Sequence, residues 1–166
     1  MRFVERAGKI VTRHGKRLVG WEEVARATLP PGSIVQHWKD AALAALAAEQ
    51  GASIVMSPAS HAYLDQKYDR TTNLGTTWAG HVGVRDAYDW DPGDVLGIEA
   101  ALWSETLESL AEVELMAFPR LLALAEVACA PAGARDWEDF RARLAAQGPE
   151  LAALRVNFFR SPEIPW

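Results

Sequence analysis

The sequence predicts an α/β protein with a parallel sheet, because short apolar runs alternate along the chain with helical segments. Each run is continuously apolar, as in strands that are buried on both faces. No glycine-rich phosphate loop is present, which disfavours a nucleotide-binding doubly wound fold. The other common parallel architecture, the (β/α)8 barrel, needs ~250 residues. A chain of 166 residues with four predicted strands therefore fits half of such a barrel.

The local patterns also predict where each element lies. The predicted strands are short apolar runs at residues 17–21, 33–38, 52–58 and 95–103. The predicted helices show helical spacing or are rich in alanine, at residues 3–14, 39–51, 107–129 with a break at Pro119, and 136–147. Residues 59–93 lack periodicity, so we expect a functional loop there. The aromatic tail, residues 156–166, is predicted to be irregular.

Composition suits one domain over residues 1–166 and disfavours several classes of protein. The net charge is −5, and Lys and Arg are scattered, so we expect no nucleic-acid partner. Cys129 is the only cysteine and the four histidines lack ligand spacing, so we expect no metal and no cofactor. No run approaches the ~20 apolar residues of a membrane span. Residues 1–17 lack the apolar core of a signal peptide, but a leader upstream would escape this test, so localisation stays open.

Aromatic and acidic residues lie at the carboxyl ends of the predicted strands and in the loops that follow. They are Trp21, Trp38, Tyr63, Asp65, Trp78, Trp103 and Glu105. In α/β barrels these positions form the active site. Aromatic rings pack against the apolar C–H faces of sugars, and carboxylates hydrogen-bond to sugar hydroxyls. A tryptophan at a strand end also packs in ordinary cores, so both a sugar site and a structural role are open.

The stretch "GIEAALWSE", residues 97–105, carries two carboxylates and a tryptophan in what is predicted to be a strand. In an extended chain Glu99, Trp103 and Glu105 share one face. Because Glu99 lies further from the strand end, we expect it to be a buried, hydrogen-bonded structural carboxylate. Trp103 and Glu105 are the candidates for binding.

Eight stretches resemble, in order, the family 20 glycoside hydrolases, the β-N-acetylhexosaminidases. They are "GKRLVGWEE", "SIVQHW", "SPASHAYLDQKY", "LGTTWAG", "YDWDP", "GIEAALWSE", "MAFPRLLALAEVA" and "DWEDFRARL". The resemblance covers nearly the whole chain. It implies a partial (β/α)8 TIM barrel, strands 5 to 8 with their loops and helices, which is the C-terminal half of the catalytic barrel.

The resemblance also implies a role for each aromatic residue at the acetamido group of the substrate. Trp21, Trp38 and Trp103 resemble the walls of the pocket around the N-acetyl methyl. Tyr63 resembles the hydroxyl that hydrogen-bonds to the acetamido oxygen.

Three more residues resemble those that recognise the rest of the sugar. Asp65 and Trp78 correspond to positions at the C6 hydroxyl and the leaving-group side, and Glu105 to the carboxylate at the 4-hydroxyl region. The implied partner is a glycan that carries N-acetylhexosamine. The sequence does not discriminate the gluco from the galacto epimer.

The catalytic pair of the family is absent from this sequence. In the family's substrate-assisted reaction the acetamido oxygen attacks the anomeric carbon, a Glu protonates the leaving oxygen, and the adjacent Asp orients the acetamido group. The sequence contains no Asp-Glu dipeptide. Glu22 and Glu23 follow Trp21 and are possible substitutes, but we expect them to be solvated loop residues. The chain alone is therefore predicted to recognise substrate without hydrolysing it.

Two other interpretations remain open at this point. One is a non-catalytic half-barrel protein that binds amino sugars or is completed by a partner, and the other is an unrelated α/β protein. A half barrel exposes strand edges and an apolar inner face, so we expect a missing N-terminal half-barrel or self-association to cover it. Tyr88, Trp90 and the tail are expected to pack on that missing half, and for the tail the alternative is closure of the bottom or side of the barrel.

Overall fold

The structure is a computed structural model that describes residues 2–166, with only the backbone described at Ala132. The chain forms two compact units. The first unit runs to Pro58 and also takes up Pro92–Glu99. The second unit comprises Ala59–Asp91 and Ala100–Trp166.

The first unit is a four-stranded sheet with helices. Its elements are α1 (Arg2–Arg13), β1 (Val19–Trp21), a 3₁₀ helix (Glu22–Arg26), β2 (Ile34–His37), α2 (Ala41–Glu49), β3 (Ser53–Met56) and β4 (Gly97–Ile98). The strands pair in parallel in the order β1-β2-β3-β4. The predicted parallel sheet is thereby confirmed.

The core of the first unit lies between the sheet and the two helical segments that follow β1 and β2. Ala25, Leu29, Val35 and Ala47 form its buried centre. Gly20 lies in β1, where a Cβ atom would come within 2.7 Å of the Val24 side chain. The 3₁₀ helix can therefore fold back directly onto the strand, which brings its first two residues to the carboxyl edge of the sheet.

The second unit is mainly helical. Its helices are α3 (Ala59–Ala62), α4 (Val84–Tyr88), α5 (Leu110–Ala117), α6 (Arg120–Cys129), a 3₁₀ helix (Ala132–Ala134) and α7 (Trp137–Ala153). Between α3 and α4 the chain forms a loop that contains two isolated bridges, Tyr63 with Ala101 and Gln66 with Thr76. Most of the predicted functional loop, residues 59–93, is thus irregular, and its two ends are helical.

The helices predicted for the second unit are present with one extension, whereas α3 and α4 lie in the segment predicted to be a loop. The long segment 107–129 is interrupted at Pro119, as predicted, so that α5 and α6 are separate helices. The predicted end of α7 at residue 147 is wrong, because α7 continues through Pro149 to Ala153. Gly148 is buried, and a Cβ atom there would lie 3.1 Å from the Trp166 indole. A Gly-Pro pair predicts the end of a helix. Here α7 continues through Gly148 and Pro149, where Gly148 packs against the tail.

The predicted fourth strand, residues 95–103, is much shorter than expected, since only Gly97–Ile98 is a strand. Its partner β3 ends at Met56, after which Pro58 has no N–H to donate and α3 begins. The ladder therefore stops. Pairing resumes only at Ala101, whose carbonyl accepts from the N–H of Leu64 in the second unit (2.7 Å).

The expectation that Tyr88 packs on a missing half of a barrel is wrong. Tyr88 is buried within the second unit, where its ring stacks on Phe140 (4.7 Å between centroids) and contacts Trp137 (5.4 Å). The tail is irregular, as predicted, and Phe159 stacks on Tyr68 at 4.1 Å. Within residues 2–166, no helix has both the length and the apolar character needed to cross a membrane.

Candidate functional site

An aromatic cluster in the second unit brings together three of the predicted site residues. The buried ring of Tyr63 has Trp78 edge-on, 5.9 Å away between centroids, and Trp103 tilted against it at 6.1 Å. Both indoles are about half exposed, 51% for Trp78 and 45% for Trp103. The bridge of Tyr63 with Ala101 explains this arrangement, because Trp103 lies two residues beyond Ala101 and so on the same face.

Asp65 adds a buried carboxyl group to this cluster. Its Oδ2 accepts from Gln66 Nε2 (3.1 Å) and Thr76 Oγ1 (3.4 Å), whereas Oδ1 accepts no hydrogen bond from the described residues. The side chain is only 2% exposed. Burial raises the pKa of Asp65, and nearby donors, among them the N–H of Trp103, oppose this rise. A buried carboxyl oxygen without a partner is suited to accept a hydrogen bond from a ligand hydroxyl.

Glu105 also belongs to the second unit, where it lies in an exposed turn after Trp103. The neighbouring Thr106 holds this turn, since its Oγ1 accepts from the N–H of Gly75 (3.0 Å). The structure therefore places Glu105 close in sequence to the aromatic cluster, with its carboxylate at the surface.

The two remaining predicted site residues, Trp21 and Trp38, lie in the first unit at the carboxyl edge of the sheet. Trp21 is the last residue of β1 and pairs with Gln36 of β2. Trp38 follows β2 directly, two residues beyond that partner. Both side chains are half-buried. The sequence prediction that strand ends carry them is confirmed.

Glu22 is not the solvated loop residue that the sequence predicts. It is 1% exposed, and its carboxylate accepts from the backbone N–H groups of Trp38 (2.9 Å), Lys39 (3.2 Å) and Asp40 (2.6 Å). It also lies 2.6 Å from Nδ1 of the buried His37, which donates to it. These N–H groups precede α2 and lack helical partners of their own, so a carboxylate there satisfies them.

Glu23 is exposed, as predicted, but it contacts a site residue. Its Oε1 accepts from the indole Nε1 of Trp38 at 3.0 Å. Consecutive glutamates therefore hold Trp38, Glu22 through the backbone and Glu23 through the ring. The sequence analysis named both glutamates but missed their role in holding Trp38, although a carboxylate immediately after a strand-end tryptophan is a signal that was available.

Glu99 differs from its expected state in one respect. It is hydrogen-bonded, to Nε2 of Gln36 at 2.8 Å, but its side chain is exposed. The strand that was expected to bury it ends at Ile98. Gly97 is in register with Gln36 through Val55, and Glu99, two residues beyond Gly97, meets Gln36 on that face of the sheet.

Arg120 is a fully buried cation that the sequence analysis did not single out. Its Nη1 donates to the carbonyls of Gln66 (2.6 Å) and Val82 (3.0 Å), and its Nη2 to those of Leu64 and Met116. The guanidinium lies 3.7 Å from the centroid of the Tyr68 ring. Burial lowers the pKa of Arg120 and raises that of Tyr68. A single charge within the apolar run 115–125 is the sequence signal that could have identified it.

The described residues contain no group of three or more His, Cys, Asp and Glu side chains arranged to hold a metal ion. Two sets of residues, one in each unit, offer aromatic stacking and hydrogen bonding. The set in the first unit is Trp21 and Trp38 with Glu22 and Glu23, and the set in the second is Tyr63, Trp78 and Trp103 with Asp65 and Glu105. Each set combines indole rings with carboxylates, which suits a ligand with both apolar faces and hydroxyl groups.

Comparison with known proteins shows the family. The model of the glycosyl hydrolase family 20 catalytic domain matches residues 1–131. The chain belongs to glycosyl hydrolase family 20. Among its family 20 relatives is a β-N-acetylhexosaminidase of Cellulomonas fimi, 45% identical over 99% of this chain and 36% of the relative. A β-hexosaminidase of Porphyromonas gingivalis is 33% identical over 86% of this chain and 20% of its own length.

Solved family 20 structures have the same fold. An N-acetyl-β-hexosaminidase of Streptomyces plicatus, in complex with Thio-NAglucal, superposes with a TM-score of 0.92 at 42% identity, over 99% of this chain and 36% of that one. An exo-β-N-acetylglucosaminidase of Vibrio harveyi, in complex with N-acetylglucosamine, gives 0.86 at 30% identity, over 96% and 27%. The α/β fold is thus that of family 20 TIM-barrel enzymes, and the chain spans between 20% and 36% of the length of these relatives.

Proposed function

We propose that this chain carries substrate-recognition residues of a β-N-acetylhexosaminidase that acts on terminal non-reducing N-acetylhexosamine. The observation that carries the proposal is the cluster of Tyr63, Trp78 and Trp103 beside Asp65, whose Oδ1 has no partner among the described residues. Family membership supports the substrate class. In this proposal the indoles pack against the sugar, the Tyr63 hydroxyl donates to the acetamido oxygen, and Asp65 accepts from a sugar hydroxyl.

The other recognition roles are proposed from the resemblance. Trp21 and Trp38 of the first unit pack against the N-acetyl methyl, and Glu105 accepts from the 4-hydroxyl region. The hydrogen bond from Trp38 Nε1 to Glu23 supports such a role, because an indole held at both its backbone and its ring presents a fixed apolar surface.

We further propose that the chain alone does not hydrolyse glycosides. The sequence has no Asp-Glu pair, and the nearby carboxylates have other partners. Glu22 is buried against three backbone N–H groups and His37, and Glu23 bonds to Trp38. The loss of a general acid alone forfeits about 10²–10⁴ in rate.

A complete site would, in this proposal, need the missing N-terminal half-barrel or self-association. Exposed apolar side chains on the first unit, Phe3, Ile10 and Val19, support a covering partner. The non-catalytic alternative, an amino-sugar-binding half-barrel completed by a partner chain, predicts the same contacts but no hydrolysis by the completed assembly.

The experiment that tests the proposal titrates the 166-residue chain with N-acetylglucosamine, N-acetylgalactosamine and glucose, with tryptophan fluorescence as the readout. We expect weak binding, with a Kd of about 1 mM (~4 kcal/mol), that requires the acetamido group. Equal affinity for glucose would contradict the proposal. A parallel assay with p-nitrophenyl N-acetyl-β-glucosaminide is expected to show no turnover, and measurable hydrolysis would show that a general acid is present in this chain.

A further inference from the structure

We propose that Arg120 is a positioning residue for Asp65, and that it sets the sugar selectivity of the second unit through the backbone of the Asp65 loop. The inference rests on the proposed function for what is recognised. The geometry that carries it is independent of that function, because it consists of the four hydrogen bonds from Arg120 to backbone carbonyls and the position of the guanidinium over the Tyr68 ring.

The guanidinium grips the loop on both sides of Asp65. The carbonyl of Leu64 accepts from Nη2 and that of Gln66 from Nη1, so the peptide groups before and after the Asp65–Gln66 pair are held by one rigid plane. Because the N–H donors of a guanidinium lie in one plane at fixed angles, they fix the orientation of the acceptors as well as attracting them. The same two nitrogens also bind Met116 and Val82, which ties this stretch to the end of α5 and to the start of α4.

The loop around Asp65 is also packed closely against the returning chain at Gly75. At Gly75 φ is +93°, and a Cβ atom would lie 2.6 Å from both the carbonyl oxygen of Asp65 and Cε of Met116. The returning chain thus passes directly against the backbone of Asp65. Thr76, the next residue, donates to the Asp65 carboxylate. A shift of the Leu64–Gln66 backbone would therefore move the Asp65 side chain rather than be absorbed locally.

A purely apolar role would not require a charge at this position. A buried guanidinium without a hydrogen-bonded carboxylate is costly, and an apolar side chain of similar size would avoid that cost. The compensation for the charge is the set of four carbonyl oxygens, three of which belong to the loop or its end. Burial lowers the pKa of Arg120, while a hydrogen bond with Tyr68 and the nearby Asp65 carboxylate act to raise it.

The first test compares Arg120→Lys with Met116→Leu in the 166-residue chain by hydrogen exchange. Met116 is equally buried beside the loop, so its substitution alters packing and leaves the guanidinium intact. Each hydrogen bond from a charged donor contributes ~1.5 kcal/mol or more, about tenfold in an equilibrium. We expect amides of residues 64–82 to exchange about tenfold faster in Arg120→Lys, with residues 34–37 unchanged. Equal acceleration in both variants would overturn the inference.

The second test measures selectivity for N-acetylglucosamine over its 6-deoxy analogue, at a temperature where both variants are folded. We expect Arg120→Lys to lose most of the preference of the parent chain for the hydroxylated sugar, and Met116→Leu to keep it. Retention in both variants, or loss in both, would overturn the positioning role. If Arg120→Lys does not fold, Tyr68→Leu replaces it, since it removes the ring under the guanidinium and is expected to act in the same direction. If the parent chain binds neither sugar, the proposed function fails and the exchange test still decides the role of Arg120.

Discussion

The two units hold their aromatic site residues with buried charges of opposite sign. In the first unit the carboxylate of Glu22 accepts from the backbone N–H groups around Trp38. In the second, the guanidinium of Arg120 donates to backbone carbonyls on either side of Asp65. The segment before α2 leaves N–H groups without partners, whereas the irregular loop after Tyr63 leaves carbonyls without partners. The sign of the buried charge thus follows from which backbone groups the local conformation leaves unpaired.

Replacing Arg120, the buried cation of the second unit, is expected to have the largest effect on stability. Arg120→Met leaves four buried carbonyls without a charged donor, and we expect the free energy of unfolding to fall by about 4 kcal/mol, the range of a broken buried network. Urea denaturation measures the loss. The matched control is Arg143→Met, because Arg143 is half exposed and pairs with Glu126 and Asp139 at the surface. A loss no larger than that of the control would show that the carbonyls do not depend on the charge.

Replacing Glu22, the buried anion of the first unit, is expected to have the second largest effect on the free energy of unfolding. Glu22→Gln keeps one acceptor oxygen and turns an amide toward N–H groups, and we expect a loss of about 2–3 kcal/mol in the free energy of unfolding. Glu23→Gln is the control on the adjacent residue. Because Glu23 is exposed, we expect it to cost less than about 1 kcal/mol. In both variants the indole N–H signal of Trp38 should shift in an NMR spectrum, and an unchanged signal would show that the glutamates do not orient the ring.

Trp103→Ala separates binding from stability in the second unit. Trp103 is 45% exposed, so its removal should cost the fold about 1 kcal/mol. We expect the affinity for N-acetylglucosamine to fall by about 2 kcal/mol, because a packed aromatic surface is lost. Calorimetric titration measures the affinity. Trp137→Ala, which changes an indole packed on Tyr88 and Phe140, should leave binding intact; a similar loss in both would place the sugar elsewhere.

The smallest expected effect is a gain in stability. Burial raises the pKa of Asp65 above its ordinary 3.8, so ionisation is harder in the folded than in the unfolded chain. The charged carboxylate therefore destabilises the fold as the pH rises through the folded pKa, and this cost is absent below the unfolded pKa. Asp65→Asn should raise Tm modestly at pH 7 and leave it unchanged near pH 3, while sugar binding is lost. Thermal scans at the two pH values measure this difference, and a fall in Tm at pH 7 would contradict it.

Local patterns were sufficient for most of the fold. Parallel strands, the break at Pro119 and the end of α2 before Gly51, where φ is +80°, all follow from short stretches of sequence. The errors arise where a distant residue decides the outcome. α7 continues past Gly148 where that residue packs against Trp166, and β4 is short because β3 ends before Pro58.

For the candidate site, too, some properties could be predicted from the sequence and others could not. Residue identity predicts stacking and hydrogen bonding at Trp21, Trp38, Tyr63, Asp65 and Trp103. Of these five residues, Trp21 and Trp38 lie at strand ends as predicted, whereas Trp103 lies beyond the short β4. The burial of Glu22 and the exposure of Glu99 could not be predicted, because both are glutamates next to apolar strands and differ only in the donors that the fold brings to them.

Residue identity and local pattern were sufficient to predict the order of the four strands, the resemblance to the family, and which side chains can stack on or hydrogen-bond to a sugar. These properties depend on residue identity and on neighbours a few positions away. Which charged side chains are buried, and which backbone groups they bind, depends instead on contacts between distant parts of the chain. Arg120 and Leu64 are 56 residues apart, and a hydrogen bond across such a separation exists only once packing has excluded water and left the carbonyl without any other donor.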